Sequence, residues 1–144
     1  METPETGRVF VEDAVENLKD LWALEQGLRC VEEVRRVVIP NALVDTGTTT
    51  LSLPTRLIQQ LGLAQRGTKR VRTGSGVGET NLFEAVRLTI QGRDCTVDVM
   101  EVSDSVPPLI GRIPLEFLDF VIDPRSQTLI GNPEHGGEHM LEAY

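Results

Sequence analysis

One residue in four of this chain is β-branched: Val, Ile and Thr supply 36 of its 144 residues. Such side chains lose rotamer freedom in a helix and sit well on a half-buried pleated surface. They fall in short runs divided by Gly and Pro, so the chain reads as mostly β. From Arg8 to Asn17, Val9, Val11 and Val15 alternate with Phe10 and Ala14, which predicts a strand. Leu18, Leu21, Trp22 and Leu24, with Gly27 as a stop, predict a short helix over Leu18–Leu28 whose apolar side chains join a satellite core or a dimer interface. Val34–Asp45 is β-rich but interrupted by Pro40, so an edge strand or turn is expected there, feeding a second strand over Ala42–Asp45.

Pro54–Gly62 predicts a second helix, because Pro suits a first turn, Leu57, Ile58 and Leu61 share a face, and Gly62 can end it. Gly74, Gly76 and Gly78 at alternate positions within Val71–Thr80 suggest a hairpin tip. Leu82–Ile90 and Cys95–Val102 then read as strands joined through Gly92, and Pro107-Pro108 closes that pair. Leu109-Ile110-Gly111 leads into a short helix over Arg112–Asp119. Phe120–Asp123 and Thr128–Ile130 follow as a last hairpin. Residues 35–131 form the expected core, residues 1–34 an amino-terminal strand and helix of the same domain, and residues 132–144 a tail.

Length allows one domain, and 14 Lys+Arg against 22 Asp+Glu, a net charge of −8, argues against a nucleic-acid partner. No apolar run approaches the ~18 residues of a membrane span. The Met-Glu-Thr-Pro-Glu start lacks the basic and apolar regions of a signal peptide, so a cytoplasmic location is expected. Cys30 and Cys95 fit neither a disulfide framework nor a four-ligand zinc site.

The residues that can carry chemistry begin at Asp45-Thr46-Gly47, where the apolar strand Ala42-Leu43-Val44 delivers a carboxylate into a turn and Gly permits close backbone approach. The tripeptide alone is also what an Asx-type turn looks like. The wider order adds a Thr-rich turn, a helix, a Gly-rich hairpin, two strands, two apolar residues with Gly, a short helix and a closing hairpin. With ALVDTGTTTLSLP and PPLIGRIPLEFLDFVIDPRSQTLIG in these places, residues 35–131 resemble the retropepsin-like aspartic proteases, the single-domain relatives of retroviral protease.

That resemblance implies an all-β closed barrel with one or two short helices and one Asp-Thr-Gly per subunit. It implies Asp45 as the catalytic residue, with Thr46, Gly47 and Thr48 supporting the turn and Thr46 bracing it against a second copy. Gly74, Ser75, Gly76, Val77 and Gly78 would form a flap, Leu109, Ile110 and Gly111 the downstream apolar-apolar-Gly motif, and Arg112 a structural site. Neither metal nor other cofactor is implied. Thr48, Thr49 and Thr50 depart from the retroviral pattern, and the acid that would pair with Arg112 is replaced by Thr49.

Two carboxylates about 3 Å apart cannot both ionise and must share a proton. One then activates water as a base while the other, as an acid, stabilises the oxyanion, and activity is expected to follow a bell-shaped pH profile. Only one Asp-[Thr/Ser]-Gly is present, since Asp104-Ser105 is followed by Val106. The chemistry therefore requires a C2 homodimer gripping an extended peptide as an added strand. A dimeric peptide-binding or regulatory module that does not cut is the alternative on the same fold.

Other signals point to blander roles. Gly74-Ser75-Gly76-Val77-Gly78 is not a dinucleotide-binding spacing. His135 and His139 lie four apart, but Gly136 and Gly137 make a metal-presenting helix poor, so a solvated tail is expected. Arg66, Lys69, Arg70 and Arg72 read as a solvated surface that could also meet an acidic substrate.

Overall fold

The computed structural model describes residues 8–143. Nine strands and three short helices follow in the order β1 (Val9–Asn17), α1 (Leu18–Glu25), β2 (Arg36–Val44), β3 (Leu51–Pro54), α2 (Thr55–Leu61), β4 (Gln65–Thr73), β5 (Gly76–Ile90), β6 (Arg93–Val102), β7 (Leu109–Ile110), α3 (Arg112–Phe117), β8 (Phe120–Asp123) and β9 (Thr128–Gly131). The mostly-β reading holds. Sheet order β1-β2-β7-β3-β6-β5 is closed by a further antiparallel pairing of β5 with β1, so six strands make a ring. Closure removes the exposed edges that a six-stranded open sheet would present.

The inside of the ring is filled by alternate positions, as strand geometry requires. Val86, Leu88 and Ile90 of β5 face Cys95, Val97 and Val99 of β6, and Leu51, Leu53, Leu61, Ile110 and Leu118 complete the buried core. Burial also pushes the Cys95 thiol up to about 11, so it packs as a neutral side chain.

Pro40 does not break β2, contrary to the expectation from its ring. The register shifts between Val11↔Ala42 and Asp13↔Ile39, so Pro40 and Asn41 stand opposite Glu12 alone. A bulge gives the residue without an N–H a place where none is needed, and the strand continues to Val44. A second bulge lies on β5 at Glu84 and Ala85. Beyond it β5 leaves β1 and pairs with β4, so residues 76–81 and their β4 partners form a two-stranded arm beyond the ring.

The amino-terminal elements are tied to the ring by buried polar groups. Asn17 caps α1 by accepting the Asp20 N–H at 3.0 Å, and its amide donates to the Leu61 carbonyl at 2.8 Å. On α1 it is Asp20 and Ala23 that are buried, while Trp22 is exposed, which corrects the apolar-face reading of that helix. The reason is ionic. Arg35 grips Asp20 in a fork, Nε at 2.8 Å and Nη2 at 3.0 Å, and its own N–H donates to the same carboxylate at 2.9 Å. The Arg35 hydrogen bonds hold the Asp20 carboxyl at about 2.

Residues 133–143 are exposed apart from half-buried His135, as a solvated tail is, and hydrogen bonds tie them to the rest of the chain. His135 Nδ1 lies 2.7 Å from Asp119 Oδ2 and its Nε2 lies 3.0 Å from Glu142, while the Met140 N–H donates to Asp119 at 3.1 Å. His139 Nε2 donates to the Phe117 carbonyl at 3.0 Å. Arg93 joins the assembly from β6, donating to the carbonyls of Leu118, Asp119 and Gly137 while its guanidinium stands 4.6 Å from the Phe120 ring centroid. Among the described residues no helix is long and apolar enough to cross a membrane.

Candidate active site

The site is built where two chain segments cross. β2 runs parallel to the two-residue β7, and the strands feed hydrogen bonds from Leu43 N–H to Pro108 and from Asp45 N–H to Ile110, both at 2.9 Å. Asp45 therefore leaves β2 with its backbone already anchored. The turn closes through Thr48 N–H to the Asp45 carbonyl at 3.0 Å, and the Asp45 side chain folds back over it. Gly47 N–H donates to Oδ1 at 3.0 Å and the Thr48 hydroxyl donates to Oδ2 at 3.0 Å. Both oxygens have a donor from their own turn, which restricts the carboxylate to one orientation.

The downstream segment locks this turn from behind. α3 has no side-chain cap, and its first amides use the turn instead: Arg112 N–H donates to the Thr48 carbonyl at 2.8 Å and Ile113 N–H to that of Thr49 at 2.9 Å. Gly111 passes so close that a Cβ there would lie 2.3 Å from the Thr50 carbonyl oxygen and 2.5 Å from that of Thr48. Only a residue without a side chain allows the two backbones this approach. Arg112 finds its nearest partner in the Thr46 carbonyl, 3.5 Å from Nη1, and makes no ion pair among the described residues.

In front of the turn lies a groove of about 1150 Å³ between the ring and the arm. Gly47, Thr48 and Leu109 line it, and Asp45 stands one hydrogen bond behind Gly47 and Thr48. The arm supplies the opposite wall through Lys69 to Thr73 of β4 and Thr80 and Leu82 of β5. Gly74, Ser75, Gly76, Val77 and Gly78 lie beyond that wall, exposed at the arm's tip, where Gly74 and Ser75 connect Thr73 to its register partner Gly76. Gly76 has φ +125°, a conformation that favours glycine.

The structure thus brings Asp45, Gly47, Thr48, Ile110, Gly111 and Arg112 into one hydrogen-bonded cluster. It leaves Thr46 on the outer side with an exposed side chain that, among the described residues, has no hydrogen-bond partner. On α3, Ile113 and Phe117 are 53% and 47% exposed. Lys69, Arg70 and Arg72 are exposed, as the reading of a solvated surface expects, and they also line the groove. Strand alternation alone could have hinted at Lys69, but which face of the arm meets the groove depends on long-range pairing.

A family model described as aspartyl protease matches residues 32–132. Among solved structures, the EIAV protease complexed with the inhibitor HBY-793 is similar at 24% identity and a TM-score of 0.45, over 53% of this chain and 73% of that chain. A search of curated proteins finds no match.

Proposed function

The chain belongs to the aspartyl protease family, and from that membership we propose that it is a homodimeric aspartic endopeptidase with Asp45 as its catalytic residue. The observation that carries the reading is the fixed Asp45 carboxylate, with a donor on each oxygen, in a turn whose outer rim is open. A single ionised carboxylate can act as base but has no acid beside it. A second copy about a two-fold axis past Asp45 supplies the missing group from the same residue. The Thr46 hydroxyl then braces one turn against the other.

In that dimer the two carboxylates share one proton. The ionised oxygen takes a proton from water as the water oxygen attacks the scissile carbonyl. The protonated partner donates to the developing oxyanion, and the resulting gem-diol collapses as the nitrogen leaving group is protonated. Every step moves protons between carboxylates, water and peptide. The substrate lies extended along the groove, pairing main chain to main chain, with Gly74 to Gly78 folding over it as a flap. In this reading residues 35–131 are the protease core, and residues 1–34 belong to the same domain.

The test is cleavage of a diverse peptide library across about pH 3.5 to 7.5 by the wild type and by Asp45→Asn, with the oligomeric state of each followed by sedimentation. Asn keeps the shape and removes the ionisable group. Cleavage by a wild-type dimer alone supports the reading. A wild-type monomer that cuts sinks it, and a silent dimer that still binds peptide makes the protein a non-cutting peptide-binding module.

A further inference from the structure

We propose that the groove selects extended peptides with acidic side chains, held by the cations of β4; the inference rests on the peptide-gripping role proposed for this groove. Arg66, Lys69, Arg70 and Arg72 are four of the chain's 14 Lys and Arg, clustered within seven residues of a protein with net charge −8. The last three line the groove. Lys69 stands directly opposite Thr80 in the β4–β5 ladder, and Thr80 also lines the groove, so the Lys69 side chain leaves the arm on the groove face. Arg70 and Arg72 alternate to the other face of the same strand and still border the groove.

What separates these cations from an ordinary charged surface is how the local charges are used. Among the described residues, Lys69, Arg70 and Arg72 make no ion pair, although Glu79 stands opposite Arg70. Of the two acids that line the groove, Asp98 is ion-paired, while Glu101 keeps its charge and accepts from neutral donors, one acid against four cations. Asp98 lies 3.5 Å from Arg66, and both Glu101 oxygens accept hydrogen bonds, from the Thr55 hydroxyl at 2.7 Å and the Asn81 amide at 2.8 Å. Arg112, with no acid partner of its own, lines the same groove at its floor. The uncommitted charge of the groove is therefore positive, against a negative molecule.

An acidic peptide is repelled by the protein at large and drawn to this one concavity, where walls of low dielectric focus the field. Apolar Leu82, Met100 and Leu109 on the same walls leave room for aliphatic side chains between the acidic ones. Each exposed charge pair contributes little, so three together correspond to about a tenfold preference at low salt.

Two peptide pools test this, identical at neutral and apolar positions and differing only in Glu against Gln at two fixed sites. At about 50 mM salt the wild type is expected to cleave the Glu pool about tenfold better in kcat/KM, with the gap falling to about twofold at about 500 mM. The triple variant Lys69→Gln, Arg70→Gln, Arg72→Gln is expected to bring the ratio near one. Equal cleavage of both pools by the wild type, with Asp45→Asn silent, overturns the acidic preference and leaves the protease reading standing. Should a dimeric wild type cut neither pool, the protease reading falls, and fluorescence anisotropy with labelled pools decides this inference: about tenfold tighter binding of the Glu pool supports it and equal binding overturns it.

Discussion

Thr48 donates its side-chain hydroxyl to Oδ2 of Asp45 across 3.0 Å, from three residues along the same turn. A threonine that departs from the retroviral pattern thus holds one oxygen of the carboxylate proposed as catalytic. Removing the hydroxyl frees that oxygen to rotate out of line. Thr48→Val is expected to lower kcat about tenfold or more with little change in KM, and Thr48→Ser to keep most of the activity, in steady-state assays on a peptide taken from the library.

Gly111→Ala tests the crossing behind the turn. Its φ is −92°, so the backbone tolerates alanine, and the cost is steric: the new methyl meets two carbonyl oxygens of the turn. Neither can withdraw without moving Asp45. A loss of about 1 to 3 kcal/mol in urea melts is expected, together with loss of cleavage out of proportion to the unfolded fraction.

Asp13 is 2% exposed on β1, and neither of its carboxylate oxygens has a hydrogen-bond partner among the described residues. Burial first, and then the neighbouring Glu12, push its carboxyl up to about 7. Ile39 stands opposite on β2, so nothing there offsets the charge. The folded state thus holds a proton that the unfolded chain releases near pH 4. The Asp13 contribution to stability is complete below about pH 4 and is lost as pH rises through about 7, by up to about 4 kcal/mol. Urea melts at pH 5 and pH 8 are expected to show this slope in the wild type and to lose most of it in Asp13→Asn.

The docked carboxy-terminal segment depends on His135 and Asp119. Their hydrogen bond raises the histidine above its ordinary value and holds the aspartate below its own. Below pH 6.5 the imidazolium half of the contact is complete, and it is lost as pH rises through the raised histidine value. The aspartate half is present above about pH 4 and is lost as pH falls through its lowered value. Hydrogen-exchange protection at residues 132–140, corrected for the intrinsic amide rate at each pH, is expected to be greatest near pH 5 to 6 and lower at pH 8. His135→Ala should give low protection at both, with β5 and β6 unaffected.

Much of this molecule was legible from local signals. Pro54 and Gly62 bracket α2 as their φ preferences require, and Gly62 takes φ +66°. Leu82–Ile90 and Cys95–Val102 marked the paired strands that are β5 and β6, and Ala42 to Gly47 marked the strand that carries the carboxylate. Pro40 misled because a proline is tolerated or not according to what lies across from it, and the bulge opposite Glu12 is a property of the pair of strands.

By itself the sequence determined which segments pleat, where they turn, and which carboxylate stands at the end of an apolar strand, because propensity, turn chemistry and period-two patterning act between near neighbours. Tertiary structure alone decided that the backbone around Gly111 packs against the turn of that carboxylate, that Lys69, Arg70 and Arg72 line a groove, and that His135 closes on Asp119. Those relationships join segments far apart in the chain or depend on which face of a strand is covered.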